Sequence, residues 1–151
     1  VSVAAAMQCR AGAVFAVEHN DDASALINNN LRKFHLHNVK TIIGDALQII
    51  PSLPKPTHIF IGGSGDELPA IIDYAAGLEG VRIVISAVTL KTYALAAEML
   101  GGGGFEGFEA RQIAASGAKK IGGSVIMAAQ NPVTLFAATT KKTSVKGAVS
   151  S

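Results

Sequence analysis

The chain has 151 residues, 49% of them hydrophobic and 16% charged, with a formal net charge of +2. That balance suits one globular domain with a sizeable core and excludes a disordered chain. So small a positive excess gives no ground for a nucleic acid or a membrane surface as partner. No apolar run approaches the roughly 18–20 residues of a membrane span, and no signal peptide is visible. The single Cys9 has no partner for an internal disulfide, which fits a cytoplasmic location. With no activating His or Lys beside it in sequence, it reads as a small buried residue and not as a nucleophile.

Val1 to Arg10 reads as the remainder of an Ala-rich helix that Ala11-Gly12 stops. Ala13 to Val17 is a buried strand closed by Glu18. The polar break Glu18 to Asp22 leads into a helix over Asp22 to Phe34, with Asn20 or Asp21 as cap and Ala25, Leu26, Leu31 and Phe34 at helical spacing. Val39 to Ile43 is a second strand, ending in Gly44-Asp45-Ala46. A Pro-marked loop, Pro51 to Pro56, precedes a third strand, His58 to Ile61, which runs into Gly62-Gly63-Ser64-Gly65. Glu67 to Ala76 is expected to be helical, Arg82 to Ser86 a fourth strand, and Leu90 to Leu100 its following helix.

Alternating strands and helices describe a parallel sheet covered on both faces. The pattern then changes. After Gly101 to Gly104 come two strand-like stretches, Phe105 to Ala115 and Ser124 to Ala138, joined by the Gly- and Lys-containing segment Ser116 to Gly123. No helix separates them, so an antiparallel hairpin is expected, with that segment as its loop. Thr139 to Ser151 reads as a polar tail. A parallel series closed by such a hairpin is the outline of an α/β class I S-adenosylmethionine-dependent methyltransferase. A nicotinamide-binding domain would continue with further βα units.

Five segments in order carry a more specific resemblance: Ala16 to Asn20, Gly44-Asp45-Ala46, Ile59 to Gly65, Ala87-Val88-Thr89-Leu90 and Asn131-Pro132-Val133. Together they resemble the decarboxylating precorrin-6Y 5,15-methyltransferase family of cobalamin biosynthesis, in its carbon-15 methylating and decarboxylating domain or subunit. The resemblance runs from Val1 to about Ala138, which sets the expected domain at 1–138 and the tail at 139–151. It implies S-adenosyl-L-methionine as cofactor and a precorrin-type tetrapyrrole as substrate. No carboxylate or Cys stands at metal-ligand spacing from His35 and His37, so no metal site is expected; the expected assembly is either a homo-oligomer or a fusion to a second methyltransferase domain. The family has a strand and a Gly-rich loop before the equivalent of Val1-Ser2-Val3. Neither is present, so this Rossmann-like sheet is expected to lack its first strand, leaving the strands that end at Glu18 and Ile61 unpaired with each other. Ser86 stands where the family more often has Asn.

Glu18, at a strand tip before a helix, is placed to accept hydrogen bonds from the ribose hydroxyls. The resemblance adds Asp45 as acceptor for the adenine amine and the Ala46 amide as a donor to the ring. A turn aspartate is the plainer explanation of Asp45. Gly62, Gly63, Ser64 and Gly65 let the backbone approach a flat ligand, or form a flexible turn. They also exclude the amino-methylating enzymes of nucleic acids, which carry Asn/Asp-Pro-Pro-aromatic here. Thr89 is a substrate contact or a helix cap. Substrate carboxylates call for donors, with Lys91, Arg111, Lys119 and Lys120 as candidates against a solvated-surface fate. His35 and His37 read as loop residues and His58 as structural. A methyltransferase for another small molecule and a non-catalytic binding or assembly module are the rival assignments.

Overall fold

In the computed structural model, which describes residues 1–142, the chain gathers into two units, 1–54 and Lys55 onward. The first holds α1 (Ser2–Gln8), β1 (Val14–Glu18), α2 (Asp21–Lys33), β2 (Val39–Ile43) and the short α3 (Ala46–Ile49) with a 3-10 turn at Ile50–Ser52. β1 and β2 run parallel, in register from Val14↔Val39 to Glu18↔Ile43. The connection is α2, and its ends are strongly specified. Asn20 accepts the Ala23 amide at 2.9 Å, and Asp21 and Asp22 face the positive N-terminal end of the helix dipole.

His35 stops the same helix. It holds φ +52°, its amide donates to Arg32, and the Leu36 amide reaches back to Leu31. That is a Schellman termination with His in the position usually given to Gly, and it accounts for His35 as a backbone element. The expected apolar face of α2 is corrected. Ser24 and Leu31 are buried, whereas Ala25, Leu26 and Phe34 are exposed. The residues that turn inward, Ser24, Ile27 and Leu31, follow i, i+3, i+7, one step out of phase with the apolar pair at 25 and 26. Asn38 secures the end of α1, donating to the Ala6 and Cys9 carbonyls at 2.9 and 3.0 Å. Cys9 is half-buried.

The second unit holds β3 (His58–Gly62), a 3-10 turn (Gly65–Glu67), α4 (Leu68–Ala76), β4 (Arg82–Ala87), α5 (Leu90–Leu100), β5 (Phe105–Ile113), β6 (Ser116–Ile121), β7 (Ser124–Ala129) and β8 (Val133–Thr140). Its main sheet has the order β3-β4-β8-β5, with β3 parallel to β4 and β8 antiparallel to both neighbours. Ile83, Ile85 and Ala87 of β4 are buried between half-buried Arg82, Val84 and Ser86. Leu68, Ile71, Ile72, Leu100 and Phe136 complete the core, and Tyr93 meets Phe136 edge-on with ring centroids 4.9 Å apart. β3 is an edge strand of this sheet, so Phe60 keeps 43% of its surface and His58 is exposed. Among the described residues the ladders of β1 and β3 are with β2 and β4 respectively.

The antiparallel addition is present as β5 and β8, but its interior differs from expectation. Ser116 to Ile121 is a strand, not a loop, and pairs with β7 as a separate hairpin. Gly122 at φ +58° and Gly123 form the two-residue turn between Ile121 and Ser124. The single stretch expected over 124–138 is broken at Gln130-Asn131-Pro132, where Pro cannot donate to a ladder. Thr139 and Thr140, placed in the polar tail by composition, continue β8, and residues 143–151 of that tail lie outside the described residues. Thr140 is fully buried because it has a backbone partner: its hydroxyl accepts the Val81 amide at 2.8 Å. Thr140→Val keeps the shape and strands that amide. It should destabilise the protein by about 1–3 kcal/mol in urea unfolding; an unchanged midpoint would show that the bond carries no net stability.

Candidate functional site

Parallel pairing brings the tips of β1 and β2 side by side. The Gly44 amide donates to the Glu18 carbonyl at 3.1 Å, so Asp45 follows immediately beyond the end of the ladder. Gly44 has φ +144°, a conformation strained for any residue with a Cβ, so this turn requires glycine. Each carboxylate is held by one oxygen. Glu18 Oε1 accepts the Asn20 amide at 3.1 Å; Asp45 Oδ1 accepts the Leu47 and Gln48 amides at 2.8 and 3.2 Å. Asp45 is therefore the N-cap of α3, a fold role beyond that of a turn aspartate. Among the described residues, its Oδ2, Glu18 Oε2 and the Ala46 amide have no protein partner. Two oriented acceptors and one donor at a strand edge are the set that a ribose diol, an exocyclic amine and a ring nitrogen require, so these residues fit a nucleoside.

The second unit has its own recess, of about 110 Å³, at the carboxyl edge of β3 and β4. The loop after β3 contributes Gly63, Ser64 and Gly65, and the strand tips contribute Ile61, Ile85 and Ser86. Val88, Thr89 and Thr92 close it from the start of α5. Gly63 and Gly65 sit at φ +79° and +56°, and a Cβ on either would meet nothing within 4 Å, which leaves open space on that side. Gly62 does not line the recess; a Cβ on it would press against the Phe60 ring at 3.1 Å. Thr89 caps α5 by accepting the Thr92 amide at 3.1 Å, and the two hydroxyls lie 2.9 Å apart. Capping and recess-lining thus hold together for Thr89.

The candidate cations fall elsewhere. Lys91 is paired with Asp66, and Arg111 with Glu109 at 3.2 Å, while Lys119 and Lys120 lie on the β6–β7 hairpin. Glu109 also takes Arg82 at 2.8 Å, and that bond, reinforced by the charges of both arginines, lowers its pKa. His37 is exposed, and His58 Nδ1 lies 3.0 Å from the Thr57 hydroxyl. Sequence reasoning passed over Ser86 as a mere departure and missed Thr92. The Thr89–Thr92 spacing was the available signal for the latter, since a cap residue meets the side chain three positions on. The Asp66–Lys91 pair spans 25 residues and has no local signature.

A parallel ladder ending in a ribose-type acceptor, with a mixed sheet closed by an antiparallel strand, defines a class I S-adenosylmethionine-dependent methyltransferase. The chain belongs to the family of precorrin methyltransferase domains, whose family model matches residues 1–140. It is 37% identical over 141 residues to a probable cobalt-precorrin-6B C(15)-methyltransferase (decarboxylating) of Pyrobaculum calidifontis, covering 91% of this chain and 72% of that one. Among solved structures it resembles a precorrin-6y C5,15-methyltransferase of Geobacter metallireducens: TM-score 0.74, 33% identity, 85% of this chain and 68% of that one. A precorrin 8W decarboxylase of Methanobacterium thermoautotrophicum matches with TM-score 0.74 and 29% identity, over 83% and 69% of the two chains.

The hydrogen bond from Lys91, and then its charge, hold the Asp66 carboxyl below the ordinary carboxylate range. Stability from this pair is present above the unfolded pKa of Asp66 and is lost as pH falls through the depressed folded value. In Lys91→Met the Asp66 titration, followed by carboxyl-carbon NMR, should move up toward the ordinary range. An unmoved midpoint would show that Lys91 is not its partner.

Proposed function

We propose that this chain transfers a methyl group from S-adenosyl-L-methionine to carbon 15 of a precorrin-6-type tetrapyrrole, with loss of the carbon-12 acetate carboxyl as carbon dioxide, in cobalamin biosynthesis. The observation that carries this is the 37% identity to a decarboxylating carbon-15 methyltransferase across 91% of the chain. In this proposal Glu18 Oε2 accepts from the ribose hydroxyls, Asp45 Oδ2 accepts from the adenine amine, and the Ala46 amide donates to the adenine ring. Both carboxylates are oriented before binding by the amides on their other oxygens, which reduces the ordering cost. When bound, the cofactor supplies an electrophilic methyl on a sulfonium. The protein's part is to orient the attacking ring carbon and to exclude water. Gly63, Ser64, Gly65 and Thr89, which line the recess, are the proposed substrate edge, with Gly62 joining them to the end of β3.

We assign the protein to the cytoplasm on the strength of the lone, unpaired Cys9; no helix among the described residues is long and apolar enough to cross a membrane. The assembly we propose is either a homo-oligomer or a fusion to a second methyltransferase domain. Either partner would cover the β6–β7 hairpin, where Val125 and Met127 share one face and are exposed at 71 and 68%.

In the intact protein Glu18→Ala should weaken cofactor binding by about 1.5–3 kcal/mol, the range for hydrogen bonds to a charged group. Asp45→Asn retains a capping oxygen and should weaken binding while leaving α3 intact. Calorimetric affinities equal to wild type in both folded variants would remove the proposed nucleoside site. Gly63→Val forces a branched residue into positive φ at about 1–2 kcal/mol and fills the open side of the recess. On the folded protein, turnover should fall far more than cofactor affinity. Near-normal turnover would remove this loop from the substrate edge.

A further inference from the structure

The recess beside the tips of β3 and β4 is too small for a tetrapyrrole. Pockets that enclose a whole ligand run to about 300–1,000 Å³, and this one holds about 110 Å³. A space of that size has room for a side arm of a few heavy atoms. Its lining contains hydroxyls, glycine backbone and aliphatic groups, and no charged residue. The hydroxyls of Ser64 and Ser86 have no acceptor among the described residues. The Thr89 and Thr92 hydroxyls, 2.9 Å apart, use one hydrogen between them whichever is the donor, so one O–H remains free. Three neutral donors therefore border a small space otherwise lined by Ile61, Ile85 and Val88. Lys91, next in sequence to this lining, is committed to Asp66.

We propose that this recess seats the acetate arm that loses carbon dioxide, with Ser64, Ser86 and the Thr89–Thr92 pair holding its carboxylate by neutral hydrogen bonds; this rests on the function proposed above. As the bond between the methylene and carboxyl carbons breaks, carbon dioxide leaves and the electron pair passes through the methylene carbon into the conjugated ring. Methyl addition at carbon 15 makes that ring electron-poor. A proton from water then completes the new methyl group, balanced by the proton that carbon 15 loses on methylation. Negative charge thus departs from the carboxylate in the transition state. A cation on the carboxylate would hold the ground state more tightly than the transition state and slow the step. Neutral donors fix the arm's direction without that penalty, and the Asp66–Lys91 pair keeps the neighbouring ammonium engaged.

The test incubates the intact protein with S-adenosylmethionine and the macrocycle and reads products by mass spectrometry. Ser86→Ala, Thr92→Val and Ser86→Lys are compared, each with macrocycle affinity measured on the folded protein. The ratio of methylated but still carboxylated product to fully processed product should rise about tenfold in each removal, the factor matching one hydrogen bond of ordinary net strength. In Ser86→Lys it should rise further, with macrocycle affinity kept or increased. An unchanged ratio would overturn the proposal. So would an equal fall of both products with weakened macrocycle binding, which marks an anchor for a different arm. If the wild type itself neither methylates the macrocycle nor releases carbon dioxide, the function proposed above fails, and the arm seat with it.

Discussion

The hydrogen bond from the Gly44 amide to the Glu18 carbonyl is the contact on which the cofactor assignment depends. It extends the β1–β2 ladder by one step and brings two carboxylates to the same strand edge. Glycine is required there because φ +144° is a backbone conformation that residues with a Cβ rarely adopt, and only the movable tip of Ile49 stands near the position a side chain would take. What lies downstream follows from this turn. Asp45 reaches the N-terminus of α3 and caps it, and the cap fixes which of its oxygens is left for a ligand. Glu18 is oriented in the same way by the Asn20 amide, just before Asn20 caps α2. In the proposed site, one oxygen serves the fold and the other is left to the cofactor at both residues.

The second unit solves a different problem. Its recess lies where β3 and β4 end, and the two loops that follow those strands supply its walls. The polar groups there are hydroxyls whose positions are set by backbone duties, as in Thr89 with its cap on α5. Charged residues are drawn into pairs around the recess lining and along β5 instead: Lys91 with Asp66, and Arg82 and Arg111 with Glu109. These pairs are exposed enough that each adds little to stability. Their larger effect is to determine where charge is absent.

Most of the fold was legible because its signals are local. The strand Val39–Ile43 and the helix Leu90–Leu100 occupy the residues that periodicity and capping assign to them, and Asn20 caps α2 as its position suggests. Errors arose where a pairing partner decided the outcome. Ser116 to Ile121 carries Gly and Lys typical of a loop, yet it is a strand because β7 pairs with it. Thr139 and Thr140 look like the start of a polar tail, yet β4 and β5 hold them in a ladder and Val81 satisfies the buried hydroxyl. At the proposed site, the strand-end positions of Glu18, Asp45 and the glycines are what made them candidates. Ser86 and Thr92 were not, because their relevance lies in a shared recess that only the folded sheet creates.

Methylation at one ring carbon coupled to loss of one arm's carboxyl is the central claim, and a labelled turnover tests it most directly. The intact protein would be given S-adenosylmethionine with a carbon-13 methyl and a precorrin-6-type macrocycle, with released carbon dioxide collected and the product examined by NMR. The account predicts a labelled methyl at carbon 15 and one carbon dioxide per methyl transferred. A labelled methyl at any other position, or complete methylation with no carbon dioxide released, would contradict it.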